Sequence, residues 1–310
     1  MFSEYLRCHP LLSLLSDQPD WGLPTAEEHP AWERIGKLYA EELAALAKDY
    51  GGIPYPPRTA SGFLAFTRTG SRSADEQPYF LRRRKLCAAV LACCVSGNAP
   101  LDDVIDGVWC VCEETSWVIS AHNVNPIPGA PAAKEYPLPD IEKPYIDLFA
   151  AQTAMILSLT WRLLQRRLDD ATPLICRRIE KELQARVLTP FLENDDFWWM
   201  GFRRSDLCNW TPWIVSNVML TACLYPMEKE KRAALLTRDC GMLDRWLDCV
   251  PADGGCDEGA GYWNMAGGAL LDCLQLLSGA TGGKMTFWDD RKVQNILRFP
   301  LAAEIGNGCG

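Results

Sequence analysis

Three side chains stand where their types and neighbours suit proton transfer and anion recognition: Asn209, Tyr262 and His122. Asn209 lies in DLCNWTPWIVSN, residues 206–217. There Thr211 followed by Pro212 reads as an N-cap and first helical residue. That places the Asn209 amide at the mouth of a helix, where unpaired backbone N–H groups favour anions. Trp210 and Trp213 add flat apolar faces, so the stretch reads as a floor for a carboxylated sugar. Tyr262 follows 53 residues later, in DGGCDEGAGYWNMAGG over 253–268. Glycines at 254, 255, 259 and 261 permit backbone shapes closed to other residues and let a ligand approach closely. Gly267-Gly268 falls in the first turns of the next helix, where glycine costs helix propensity, so close packing or close ligand approach is expected there. His122 sits in WVISAHN, beside Trp117 and Asn123, and imidazole is the group best suited to proton transfer near neutral pH. Acids also cluster at Glu113, Glu114, Asp253, Asp257 and Glu258, which leaves glycoside hydrolysis by a carboxylate pair open.

The elements that must position these groups are helices. Apolar residues recur at helical spacing over 29–49, 60–69, 76–95, 102–115, 144–168, 172–193, 212–225, 228–249, 264–279 and 289–304. Alternating β-branched runs are nearly absent, so the fold class is all-α. The segment 115–144 between two of these helices is proline-rich and aperiodic, and a connection of that length in a compact domain is usually functional or disordered; its aromatic and histidine content argues for order. No fixed-period repeat is present, which disfavours solenoid arrays. Helical hairpins without sequence repetition suit an α/α toroid, with outer and inner helices alternating around a cleft. The expected organisation is one toroid domain over 1–310, opened by an N-terminal arm over 1–27.

The totals narrow the function classes. The chain has 310 residues, 48% of them hydrophobic, enough for a sizeable core. The net charge of −9 argues against a nucleic-acid surface. The one basic run, Arg82-Arg83-Arg84-Lys85, reads as a solvated helix face. No stretch of 18 or so apolar residues occurs, so no membrane partner is expected, and the N-terminus does not read as a signal peptide. The fourteen cysteines fall largely inside apolar helical runs, where free cysteine behaves as a small hydrophobe. Cys110 and Cys112 are too close for the usual zinc pairing. No metal site and no cofactor is expected, and many thiols suit a reducing cytoplasm. The loop-like ending AEIGNGCG directly after a helix suggests that further chain follows.

CNWTPWIVSN together with DGGCDEGAGYWNMAGGALLDCLQLLSGATGGK resembles the heparinase II/III-like family, which includes bacterial polysaccharide lyases. SWVISAHN and IDLFAAQTA resemble further segments of its uncharacterised intracellular branch. The resemblance runs from about residue 55 onward. It implies an α/α toroid followed by a C-terminal β-sandwich, which the 310 residues do not include. It also implies β-elimination of uronic-acid polysaccharides or oligosaccharides. Asn209 resembles the amide that neutralises the uronate carboxylate, and Tyr262 the tyrosine that serves as Brønsted acid and in some members as base. Trp210 stands where characterised members often have histidine, and Ala260 where proline is expected. On this reading His122 assists proton transfer. Trp117, Trp210, Trp213 and Trp263 stack on sugar rings, and Asn123, Arg204 and Glu258 contact the substrate. Arg203 or Arg204 supplies a cation that would favour the phenolate. The rivals are a toroidal glycoside hydrolase and a non-catalytic carbohydrate-binding toroid; association into a homo-oligomer stays open.

Overall fold

The computed structural model of the chain describes residues 1–17, 19, 21–97, 99–123 and 137–303. Among the described residues the fold is all-α and no strand occurs. The order is α1 (Phe2–Cys8), α2 (Leu11–Leu14), α3 (His29–Leu38), α4 (Ala40–Tyr50), α5 (Ala60–Thr69), α6 (Ser73–Ser96), α7 (Asp102–Cys112), α8 (Leu148–Ala171), α9 (Pro173–Leu183), α10 (Thr189–Glu193), α11 (Trp210–Leu224), α12 (Lys229–Cys249), α13 (Gly267–Ala280) and α14 (Arg291–Ala303). Two of the expected helices are divided. The one over 29–49 breaks at Tyr39, whose ψ of 34° leaves the helical range. The one over 172–193 loosens into a π-turn over Gln184–Leu188 before α10. Residues 124–136 of the aperiodic segment lie outside the described residues.

The chain forms two compact units, a continuous one over Gly22–Pro190 and a discontinuous one built from Met1–Trp21 with Phe191–Gly310. In the continuous unit α6 is the hub, packing against α3, α4, α5, α7 and α8. Its apolar side buries Leu86, Val90, Cys93 and Cys94. The basic run on α6 is not the solvated face its composition suggests. Arg83 and Lys85 are buried, and only Arg84 is exposed. Lys85 donates to Asp103 at 2.8 Å, and the arginines of the run turn to Glu114, just past α7. Arg83 grips its carboxylate in two bonds of 3.1 and 2.8 Å, Arg82 adds one of 3.1 Å, and Arg58 adds one of 3.3 Å. Arg58 also binds Asp75 through two nitrogens, at 2.7 and 3.1 Å. Three guanidinium groups thus surround two carboxylates, and the planar Arg83 fork lies 3.3 Å from the Tyr79 ring centroid.

In the discontinuous unit α11 is the buried helix, apolar nearly all round, with α12 and α13 packed on it. Residues 1–21 of the expected arm belong to this unit, and α1 and α2 pack on α12. The backbone N–H groups of Phe2 and Ser3 donate to the Asp244 carboxylate at 2.8 and 2.6 Å, so an acid on α12 satisfies the first turn of α1. Asp239 on α12 is fully buried, and neither carboxyl oxygen has a hydrogen-bond partner among the described residues. Burial pushes its pKa well up, against a smaller pull from Arg238. No helix among the described residues is long and apolar enough to cross a membrane.

Both buried acids give testable outcomes. Burial alone would raise the Glu114 pKa, but Arg83, Arg58 and Arg82 hold it below the usual carboxylate value. Its stabilisation is therefore present above that value and is lost as pH falls through the depressed one. Glu114→Ala leaves Arg82 and Arg83 without their carboxylate and Arg58 with Asp75 alone, and is expected to cost about 3–5 kcal/mol, read by urea unfolding at neutral pH. Asp239 works in the opposite sense. The unfolded chain ionises it above the ordinary aspartate value while the folded chain keeps the proton, so stability declines as pH rises from there. Shape-matched Asp239→Leu is expected to raise stability by about 1–3 kcal/mol and to flatten that decline in thermal melts taken across pH.

Candidate functional site

Helix α11 begins two residues earlier than its Thr-Pro signal suggests. Asn209 occupies the N-cap position and Trp210 is the first helical residue. Thr211 does not cap. It is fully buried, and its hydroxyl donates instead to the Trp199 carbonyl at 2.6 Å, tying the helix start to the 3-10 turn Trp198–Met200. The Asn209 carbonyl accepts the Trp213 N–H at 3.1 Å, but its side chain makes no capping bond. An amide only 4% exposed is therefore held at the positive end of a 15-residue helix.

The glycine-rich stretch packs around that helix start, and its glycines divide into two kinds. Gly254 has φ +81°, and a Cβ there would run into the backbone of Asn295 and Ile296 on α14. Gly267 opens α13, and a Cβ on it would overlap the Trp263 indole nitrogen and come 2.8 Å from Ile296 Cγ2. These two serve internal packing, which accounts for glycine inside the first turn of α13. Gly259 and Gly261 have open space where a side chain would stand. Gly259 precedes, and Gly261 and Trp263 lie within, the 3-10 turn Ala260–Met265, which packs on α11, α13 and α14. Trp263 anchors it by donating its indole N–H to the Ile296 carbonyl at 2.8 Å. Tyr262, its neighbour, is 52% exposed.

Glu258 links this turn to the helix start. Partial desolvation and the neighbouring Asp257 push its carboxyl above the usual value, while the backbone N–H of Asn209 pulls the other way. A carboxyl group that protonates early thus stands within reach of the Asn209 N–H. On the other flank, the Trp210 ring lies 5.1 Å from Trp198, and the Arg204 guanidinium sits 5.0 Å above the Trp198 ring. Arg204 pairs with Asp206, and Arg203 with Asp196, so each already has its own acid. Trp210 and Trp213 are half-buried.

The remaining candidates belong to the continuous unit. His122 ends the 3-10 turn Ser120–His122, with its Nδ1 2.8 Å from Asp147 Oδ2 and its ring stacked on Phe149 at 5.4 Å. The next residue, Asn123, caps this turn by donating its backbone N–H to the Ser120 carbonyl at 3.3 Å. Trp117 cannot offer a face to a sugar. It is 2% exposed, its indole N–H donates to the Val111 carbonyl at 2.9 Å, and the Arg186 guanidinium lies 5.0 Å from its ring. Glu114 is equally committed, to its three arginines.

No family model matches the chain, and no curated protein does. The site's description therefore rests on its own geometry. Asn209, Arg204, Trp210, Trp213, Glu258, Tyr262 and Trp263 lie in the discontinuous unit, and His122, Asn123 and Trp117 in the continuous one. Among the described residues no group of three or more His, Cys, Asp or Glu is placed to hold a metal ion. A cavity of about 630 Å³ lined by Leu11, Leu192, Phe202, Ala233, Arg238 and Gly241 contains none of the candidates. Sequence reasoning passed over two residues. Trp198 extends the aromatic surface of Trp210, and the paired tryptophans of FWWM were its only signal. Asp147 could be read as an N-cap before an apolar run, but nothing local announces its bond to His122.

Replacing Gly267 by alanine separates packing from propensity. Alanine is the better helix former by about 1 kcal/mol, yet the crowded Cβ is expected to cost about 1–3 kcal/mol through overpacking. A net loss of stability, with a change in tryptophan fluorescence as Trp263 shifts, is the expected result of chemical denaturation.

Proposed function

We propose that this protein is a lyase-like enzyme acting on uronic-acid oligosaccharides or polysaccharides by β-elimination, on the framework of an α/α toroid. The observation that supports this reading is the packing of the Tyr262 turn against α11, the helix that Asn209 starts. An anion-favouring helix start with a buried amide and an exposed phenol thus come from segments 53 residues apart in sequence. The C5 proton of a uronate is weakly acidic because the adjacent carboxylate is already negative. Asn209 would neutralise that carboxylate and stabilise the enolate-like state as an oxyanion hole does. Tyr262 would protonate the departing glycosidic oxygen or, beside a cation, take the C5 proton. Trp210 would offer a sugar-stacking face, extended by Trp198. His122 is the chain's second candidate for proton transfer. The thirteen cysteines among the described residues are free, which suits a reducing cytoplasm.

A second reading is favoured by the raised pKa of Glu258 beside Asp257: an acid and a carboxylate acting as a hydrolase pair. The product separates the two. A lyase leaves a conjugated, ultraviolet-absorbing unsaturated uronate at the new non-reducing end, and a hydrolase acting on a saturated sugar does not.

In the intact protein, Tyr262→Phe is expected to lower turnover by about 10²–10⁴-fold while substrate binding persists. Asn209→Ala is expected to cost about 10²–10³-fold in kcat. Initial rates of ultraviolet-absorbing product from a panel of uronic-acid oligosaccharides check both. Full turnover by Tyr262→Phe would overturn its role, and hydrolysis without absorbance would favour the carboxylate pair.

A further inference from the structure

The bond between His122 and Asp147 carries a consequence for how the imidazole works. Asp147 is fully buried at the N-cap of α8. One carboxylate oxygen, Oδ1, accepts the Ala150 N–H at 2.7 Å and thereby caps the helix. The other, Oδ2, lies 2.8 Å from His122 Nδ1. A capping carboxylate presents only acceptors, so the hydrogen in that contact belongs to Nδ1. In the neutral ring the acceptor lone pair is then on Nε2.

The pair is held rigidly from both sides. Ser120, at the start of the His122 turn, donates its backbone N–H to Asp75 Oδ2 at 2.8 Å. The carbonyls of Ser116 and Val118 accept from Arg58 at 2.5 and 2.7 Å. Phe149, on which the imidazole stacks with an interplanar angle of 8°, lies in the first turn of α8. The Tyr79 hydroxyl sits 2.8 Å from the Trp117 carbonyl and 3.0 Å from the Phe149 carbonyl, so one buried oxygen joins the segment leading into the turn to the start of α8. The His122 side chain retains 16% exposure while its acid partner has none.

We propose that Asp147 is a positioning residue that fixes His122 in the Nδ1–H tautomer and so makes Nε2 the ring's proton-accepting atom. This rests on the reading of His122 as a proton-transfer residue, and it assigns the residue and atom that set its direction of action. Asp147 itself touches no substrate and takes no proton. In a transfer step the proton arrives at Nε2, and the resulting imidazolium is stabilised by the carboxylate behind it.

Long-range ¹⁵N–¹H correlation spectra of the full-length chain test this directly, with the His122 signals assigned through His122→Gln. The expected wild-type pattern at a pH where the ring is neutral is Nδ1–H. Asp147→Asn keeps a residue that caps helices as well as aspartate does. It also places an amide N–H₂ within reach of Nδ1, so the tautomer is expected to invert to Nε2–H. With uronic-acid oligosaccharides, kcat is then expected to fall by on the order of 10²–10⁴-fold, as when a correctly oriented base is put in the wrong tautomer, with KM little changed. A wild-type Nε2–H ring overturns the proposal even if no variant folds. So does an Asp147→Asn ring that keeps its tautomer, or an inverted tautomer with unchanged kcat. If the wild-type ring is Nδ1–H and inverts in the variant but no substrate is turned over by either, the lyase reading fails while the assignment of Asp147 to the tautomer stands.

Discussion

Glu114 is shared by three guanidinium groups, and the continuous unit is arranged around that fact. A carboxylate so deeply buried would be expelled from an apolar core without compensation. Arg58, Arg82 and Arg83 supply it from two places in sequence, the loop before α5 and the middle of α6. Their other donors go to Asp75, to the Thr153 hydroxyl and to the carbonyls of Pro56, Tyr79, Cys110, Ser116 and Val118. The network is therefore more than an ion pair. It satisfies the backbone of an aperiodic segment that has no helix to do so, and it delivers that segment, in register, to the turn carrying His122.

The discontinuous unit solves a different problem, that of seating a polar turn on an apolar helix. α11 has almost no solvated side, so its N-terminus is where it meets water and polar chemistry. The Ala260–Met265 turn that packs on it is held to α14 by the close approaches at Gly254 and Gly267 and by one indole hydrogen bond. Among the described residues of α12, the interior departs from full satisfaction at the Arg238 Nε and, with a whole carboxyl group, at Asp239. A carboxyl group with both oxygens unpaired works against folding rather than for it, and nothing in the structure explains why it is retained.

Much of the architecture was legible as periodicity. The spacing of apolar residues located the long helices, and the absence of alternating strands gave the all-α class. The failures share a cause. Arg82–Lys85 reads as a solvated face because charge looks solvated until its partner is known, and Glu114 lies about thirty residues away. Thr211-Pro212 is a sound local capping signal, but the Trp199 carbonyl, twelve residues upstream, claims the hydroxyl. Trp117 looks like a sugar platform because aromatic residues beside a histidine suit either a site or a core. Of the site itself, Asn209, Tyr262 and Glu258 were visible as residue types in suggestive settings. The Asp147–His122 bond and the Trp198–Trp210 pair depend on how distant turns are brought together, which no local pattern encodes.

The anchoring of Trp263 also determines what Tyr262 can reach. A phenol oxygen lies on the χ2 axis, so flipping the ring leaves it in place, and only χ1 moves it. χ1 has three staggered wells. With the backbone of the turn pinned next door by the bond to Ile296, the hydroxyl visits three discrete stations rather than sweeping an arc. Tyr262 is exposed, so a molecule meeting this tyrosine must be the partner that adapts its pose.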